Sequence, residues 1–295
     1  MKLSNRVLEM EESVTLAASA RAAALKAEGR DILSLTLGEP DFTTPENIQK
    51  AAIAAIQDGK ASFYTAASGL PALKDAISSY METFYGYAVP RNQVVVATGA
   101  KFILYAAFAT LLNPGDEVII PTPCWVSYVD QVKMVDAVPV TFQTTEANDF
   151  KATVEQLEAA RTEKTKLILL NSPSNPTGMI YSREELEAIG AWALEHDILI
   201  LADDIYGRLV YNGHEFTAIS SLSDALRKQT IVVNGVSKTY AMTGWRVGFA
   251  VAEPEIIAGM AKIISQTTSN LTAVSQYAAI EALTGDQSSI ETMRQ

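Results

Sequence analysis

From residue 93 onward the chain alternates two hydrophobic patterns. Short, β-branched apolar runs recur at 93–99 (QVVVATG), 116–122 (DEVIIPT), 137–142 (AVPVTF), 165–171 (TKLILLN), 198–204 (ILILADD), 230–236 (TIVVNGV) and 245–252 (WRVGFAVA). Between them lie longer stretches whose apolar residues return at helical spacing. Continuously apolar strands are what a sheet needs when both of its faces are covered, so the pattern predicts a seven-stranded, doubly wound, mostly parallel α/β sheet. The turn signal at 113–116 (NPGD) ends a helix before a strand. Upstream, 13–28 reads as an Ala-rich helix closed by Gly29, followed at 33–42 (LSLTLGEPDF) by a Gly-Glu-Pro turn. This entry segment is expected to start a small α+β domain over 1–47. The large, sheet-bearing domain is expected over 48–285, with 286–295 returning to the small one.

Composition narrows the function classes. The chain has 295 residues, 48% of them hydrophobic and 19% charged, which fits a globular protein with a sizeable core. Thirty-four acidic against 23 basic residues give a net charge of −11, which repels nucleic-acid backbones and anionic membranes. Cys124 is the sole cysteine and His196 and His214 the only histidines, so no disulfide and no Cys/His metal site is expected. The acidic N-terminal segment (MKLSNRVLEMEES) lacks the apolar core of a signal peptide, and no membrane-length apolar run follows. A reducing cytoplasm is the expected location.

Ligands of open α/β sheets bind beyond the carboxyl ends of the strands. The residues found there form an unusual set. Gly99, Ala100 and Lys101 follow the first run; 171–178 (NSPSNPTG) follows the fourth; Asp203, Asp204, Ile205 and Tyr206 follow the fifth; Val236, Ser237 and Lys238 follow the sixth; Arg246 opens the seventh. A lysine flanked by small residues at a strand end loses solvation, which lowers its pKa and makes it a nucleophile toward an aldehyde. Pyridoxal phosphate is the aldehyde cofactor whose other groups match the remaining residues. An aspartate keeps its ring nitrogen protonated, and a helix N-terminus with an arginine suits its phosphate.

The stretch 235–248 (GVSKTYAMTGWRVG), with Ser-Lys and then Arg eight residues after the lysine, resembles the lysine-site pattern of the pyridoxal-phosphate aminotransferases of fold type I, class I. The resemblance runs along essentially the whole chain and is closest to the bacterial aspartate aminotransferases of the branch called Ib or gamma. It implies that Lys238 is the Schiff-base lysine and the base that moves the α-proton, and that Arg246 and Ser237 bind the phosphate. Asn175 in NPTG and Tyr206 in DDIY are implied as donors to the cofactor's phenolic oxygen, Asp203 as the partner of its ring nitrogen, and Trp125 in PCWVSY as the aromatic residue stacked on the ring. Tyr64 in FYTAASG resembles the tyrosine that reaches the phosphate of a neighbouring subunit, which implies a homodimer with shared sites. Gly235 and Ala66 replace a serine and a proline common in the family.

On the substrate side, Gly38 resembles the backbone that contacts the α-carboxylate, alongside Trp125 and Asn175. Lys101 either supports the phosphate site electrostatically, binds a side-chain carboxylate, or is a solvated lysine in a first helical turn. The stretch 12–15 (ESVT) resembles a substrate-side loop, with Glu12 where a proline is usual and with Ser13 and Thr15 as contacts. Asp204 is expected to point to the opposite face from Asp203 and to be structural; His196 and His214 are expected to be structural or solvated, and Cys124 to lie near the site without a catalytic role. The implied reaction is ping-pong transamination of an amino acid and a 2-oxo acid, aspartate with 2-oxoglutarate. Alternatives are aromatic or prephenate acceptors, another pyridoxal-phosphate reaction such as elimination or decarboxylation, and a cofactor-sensing regulatory module. The family extends beyond the position matching Gln295 with a segment that carries the α-carboxylate arginine, so the chain is expected to be a fragment with its small domain incomplete.

Overall fold

A computed structural model describes residues 3–8, 10 and 14–295, and in it each of the seven apolar runs is a strand. These are β1 (Val94–Thr98), β2 (Glu117–Thr122), β3 (Val138–Gln143), β4 (Thr165–Asn171), β5 (Leu199–Asp203), β6 (Thr230–Gly235) and β7 (Val247–Val251). The helices before the sheet are α1 (Asn5–Leu8), α2 (Val14–Ala27), α3 (Glu46–Gln57) and α4 (Pro71–Tyr85). Those within and after it are α5 (Ala100–Leu111), α6 (Ser127–Met134), α7 (Val154–Ala160), α8 (Arg183–Glu195), α9 (Asp224–Gln229), α10 (Pro254–Thr267), α11 (Ala273–Thr284) and α12 (Ser288–Arg294).

The strand order is β1-β7-β6-β5-β4-β2-β3. β7 is antiparallel to both of its neighbours, whereas the other pairings are parallel, so β1 through β6 all run in one direction. Sequence periodicity could not distinguish that reversal. Its cause is the link between β6 and β7, which contains only a single 3-10 turn, Thr243–Trp245, and no α-helix. A parallel return needs a crossover of about a dozen residues or more, usually helical. The reversal brings Arg246, at the start of β7, to the same sheet edge as Gly99, Asn171, Asp203 and Ser237.

Successive residues of each strand enter different cores, as a pleat covered on both sides requires. Val95 and Ala97 of β1, Leu167 and Leu169 of β4, and Ile231 and Val233 of β6 pack with α5 and α10 on one face. On the other, Val94, Val96, Val232 and Phe249 pack with α4 and α11, while Ile168, Leu170 and Ile200 pack with α8 and α9. Truncating one of these fully buried side chains costs about 2–5 kcal/mol. β3 departs from the continuous burial expected of it: Val138, Thr141 and Gln143 are exposed because it is the sheet's edge, where Pro139 lacks a donor without breaking an inner ladder.

Helix starts show which N-termini are closed. Thr153 and Ser182 form capping boxes with Gln156 and Glu185 at α7 and α8, and Ser223 caps α9. α5 has no side-chain cap after Gly99, and its first amides stay open. The expected N-terminal helix is α2, whose described side chains are exposed apart from Ala22 and two half-buried residues. The segment after it exposes Leu33 by 87% and Leu35 by 89%.

Candidate active site

The site assembles at the edge where β1, β4, β5 and β6 end and β7 begins. β5 delivers Asp203 into a fully buried position. Its Oδ2 accepts a hydrogen bond from Tyr128 Oη at 2.7 Å and its Oδ1 accepts from the Ile205 N–H at 3.3 Å. Burial pushes the carboxyl up to about 6, against the pull of those two donors. A carboxylate so poorly solvated is a strong partner for any cation brought to it. Tyr128 was not anticipated. It lies three residues after Trp125 and meets that ring edge-on at 5.3 Å, and the spacing within PCWVSY was the only signal for it.

The loop after β4 is fastened to the same strand end. Asn171 donates through Nδ2 to Asp203 O at 2.8 Å and accepts the Asn175 N–H on Oδ1 at 2.7 Å. One amide thus locks the NPTG loop to the aspartate, a role that sequence reasoning did not assign to Asn171. The Asn175 side chain hydrogen-bonds toward the Tyr206 phenol, whose pKa is raised by burial and by Asp203 and partly restored by that bond.

Lys238 stands beyond the end of β6, half-buried, with Nζ 5.9 Å from the centre of the Tyr206 ring. The amine donates to Gly38 O at 2.5 Å, so the Gly-Glu-Pro turn read as a substrate contact does reach the lysine. Burial lowers the Lys238 pKa; Glu39 opposes the shift and Arg246 adds to it. Glu39 is itself held by Thr243 Oγ1 at 2.9 Å, and Thr44 donates to Ala241 O at 2.7 Å, tying 38–44 to the lysine loop. Ser237 is buried beside the lysine.

Arg246 adopts a left-handed φ of 55° and donates through Nη1 to Thr243 O at 2.9 Å. Its guanidinium lies directly over Gly99, where an added Cβ would stand 2.4 Å from Nη2. Gly99 itself has φ 83°, a conformation that side chains disfavour. A Cβ on Gly248 would meet Ala100 N at 2.2 Å, so β7 presses against the start of α5. An uncapped helix N-terminus, a side-chain-free approach and a forked cation make a cradle for a phosphate. Lys101 adds positive charge, its Nζ 4.8 Å from the centre of the Trp125 ring; its pKa is lowered by burial and by Arg246.

Some expected residues lie elsewhere. Tyr64 is 91% exposed and is not in its own chain's crevice. Glu12 and Ser13 fall outside the described residues, as does the side chain of Thr15. Asp204 turns to the opposite face, where its Oδ2 accepts from Tyr85 Oη at 3.0 Å. His196 pairs with Glu158 at 3.3 Å and packs on Trp192, and His214 is an exposed turn residue. Cys124 is free and half-buried, beside Tyr128, and burial raises its thiol pKa.

The residues fit pyridoxal phosphate by the chemistry of the donor set: an amine of lowered pKa, a buried carboxylate, two donors grouped as a phenol and an amide, and the side-chain-free cradle under Arg246. The comparisons agree with that chemistry. Residues 30–295 match the family model for aminotransferase class I and II. An asparagine–oxo-acid transaminase from Streptococcus mutans is 73% identical over 100% of this chain and 75% of its own length. An aspartate aminotransferase from Bacillus sp. YM-2 is 51% identical over 99% of this chain and 74% of its own. Among solved structures, the Rhizobium meliloti aspartate aminotransferase superposes with a TM-score of 0.96 at 43% identity, covering 100% of this chain and 74% of that one. The sequence pattern, the sheet edge and these similarities lead to one conclusion: this chain belongs to the class I and II aminotransferases.

Proposed function

We propose that the chain catalyses pyridoxal-phosphate-dependent transamination with L-aspartate as amino donor and 2-oxoglutarate as acceptor. The observation that supports this most directly is Lys238, a half-buried amine of lowered pKa resting on Gly38 O, just beyond the end of the strand that pairs with the one ending in Asp203. Bound at this edge, the cofactor supplies an aldehyde and a protonated pyridine ring that draws electron density from the substrate Cα. The chain's residues do the rest. Asp203 holds the proton on the ring nitrogen, while Tyr206 and Asn175 donate to the phenolic oxygen. Arg246, Ser237 and the open amides at Ala100 and Lys101, at the uncapped start of α5, would hold the phosphate. Trp125 covers the ring. Lys238 Nζ would engage the aldehyde at rest and, when free, would be the base that takes and returns the substrate's α-proton, in one direction for the amino donor and in the other for the 2-oxo acid.

The same proposal assigns 48–285 to a cofactor-binding domain and 1–47 with 286–295 to a smaller one. It pairs two copies so that Tyr64 of each reaches the other's phosphate, and it places the enzyme in a reducing cytoplasm, which a free Cys124 suits.

A second reading is favoured by the 73% identical relative, which is named for asparagine: the donor is the amide rather than the acid. Lys101 distinguishes the two, since a partly desolvated cation attracts a side-chain carboxylate and gains little from an amide. Steady-state kinetics with each donor and 2-oxoglutarate, product by product, test this. Lys101→Gln is expected to lower kcat/KM for aspartate at least tenfold, roughly 1.4 kcal/mol of binding, and to leave asparagine nearly unchanged. Equal losses for both would remove Lys101 from substrate recognition; release of ammonia or carbon dioxide instead of a 2-oxo acid and a new amino acid would remove transamination.

A further inference from the structure

The loop 65–70, between Tyr64 and α4, is held by more buried polar contacts than a surface turn requires. Gln276 on α11 is 0% exposed and uses both ends of its amide. Its Oε1 accepts the Leu70 N–H at 2.8 Å, and its Nε2 donates to Thr65 Oγ1 at 2.8 Å and to Leu271 O at 2.8 Å. Lys74 on α4 is 9% exposed, and its Nζ donates to Ser68 Oγ at 2.8 Å and to Arg91 O at 3.4 Å. Between these anchors, Ser68 O accepts the Val96 N–H of β1 at 3.2 Å. Gly69, at φ 106°, lies so close to β1 that a Cβ would stand 2.3 Å from Val96 Cγ2.

The contacts stop one residue upstream. Tyr64 is 91% exposed and Phe63 77%, although both are large rings that normally find a core. Burying a lysine and a whole amide is costly unless every polar atom is matched. Here the matches converge on the base of a residue whose own side chain is almost wholly exposed. A loop left free would have to be ordered at the moment of binding, and pre-ordering removes that cost.

We propose that Gln276 and Lys74 are positioning residues: they clamp loop 65–70 to β1 and α11 as a fixed base from which Tyr64 projects into the phosphate end of a second copy's site. The inference rests on the reading of Tyr64 as a phosphate ligand across a dimer. It adds that the phenol is aimed before the subunits meet, by residues that touch neither substrate nor cofactor.

The test is retention of pyridoxal phosphate by the dimeric holoenzyme, measured by dilution and compared with retention of pyridoxal, which lacks the phosphate. Tyr64→Phe, Gln276→Leu and the milder Thr65→Ala are assayed singly, together with the Tyr64→Phe/Gln276→Leu double variant, and thermal melts identify any variant that fails to fold. The expected result is a loss of about tenfold in pyridoxal phosphate retention for Tyr64→Phe and Gln276→Leu and a smaller loss for Thr65→Ala. The double variant is then no worse than either single one, as for groups acting through one contact, and pyridoxal retention is unchanged. If Tyr64→Phe alone weakens retention while Gln276→Leu and Thr65→Ala behave as the parent, the clamp is overturned and the Tyr64 reading stands. If Tyr64→Phe has no effect, both fail. Losses that multiply in the double variant, or that extend equally to pyridoxal, show Gln276 acting by another route and also overturn the inference.

Discussion

Asp203 and Asp204 are neighbours in the chain, but the two sides of the sheet edge treat them differently. Asp203 faces the crevice, with Tyr128 and the Ile205 amide as donors and the Asn171 amide bracing its backbone. Asp204 faces the packed side, among Tyr80, Tyr85, Tyr87 and Phe216, where Tyr85 Oη donates to it and accepts from Asn234 Nδ2 at 3.0 Å. Burial raises the pKa of both. Asp203 is pushed up to about 6, and Asp204, lodged among rings and beside the Asp203 charge, is held well above the usual carboxylate range by its burial. The lesson is that burial alone does not make a carboxyl functional. What distinguishes Asp203 is that it ionises within reach of neutral pH at an open edge, where a cationic ligand can reward the charge; Asp204 is held by Tyr85 and serves the packing.

The largest expected effect comes from removing that charge. Asp203→Asn should cut transaminase turnover by about a hundredfold to a thousandfold, the scale of losing one preorganised electrostatic contact. Without cofactor the same substitution should stabilise the chain. Because the folded-state pKa of Asp203 is raised, the unfolded chain ionises first as pH rises from about 4, and the folded state loses stability until pH passes about 6. The full penalty is about 3 kcal/mol. Melts of the cofactor-free parent and Asp203→Asn should therefore coincide near pH 4 and separate by pH 7, with the variant higher; parallel curves would mean that Asp203 does not carry the raised pKa.

Asp204 sharpens the contrast in the opposite direction. Asp204→Leu leaves the buried Tyr85 hydroxyl without its acceptor and should cost about 1–3 kcal/mol of stability in denaturant titrations. Asp204→Asn, which keeps an acceptor, should cost less than half as much and leave turnover within a few-fold. A turnover loss from Asp204→Asn comparable to that of Asp203→Asn would end the distinction between the two sides. The smallest effect is expected from Tyr128→Phe, which deletes one donor to Asp203 and adds no bulk. Its pKa should rise above about 6, so the acid limb of the pH–rate profile should move to higher pH with the plateau little changed.

The chain's apolar runs made all seven strands legible, because a sheet covered on both faces leaves an unbroken hydrophobic signature. The rule that ligands gather beyond strand ends then selected Gly99, Asn175, Asp203, Lys238 and Arg246, which the structure does bring to one edge. The direction of β7 was not legible, since periodicity records spacing and not polarity. Tyr128 and Asn171 escaped because a buried donor looks like any core tyrosine or strand-end asparagine until its acceptor is in place. The Tyr85–Asp204 bond spans 119 positions, and nothing local in either segment announces it. Nothing local in α11 says that the Gln276 amide is buried, yet both of its ends are matched at the base of the Tyr64 loop.

The central claim is that Lys238 is the one amine that engages the cofactor aldehyde. Loading the chain with pyridoxal phosphate, reducing with borohydride and mapping the modified peptide by mass spectrometry tests it directly. The account predicts a phosphopyridoxyl group on Lys238 alone, absent from Lys238→Ala and diminished when aspartate is added before reduction. A modification that falls on Lys101 or Lys74, or that persists unchanged in Lys238→Ala, would contradict it.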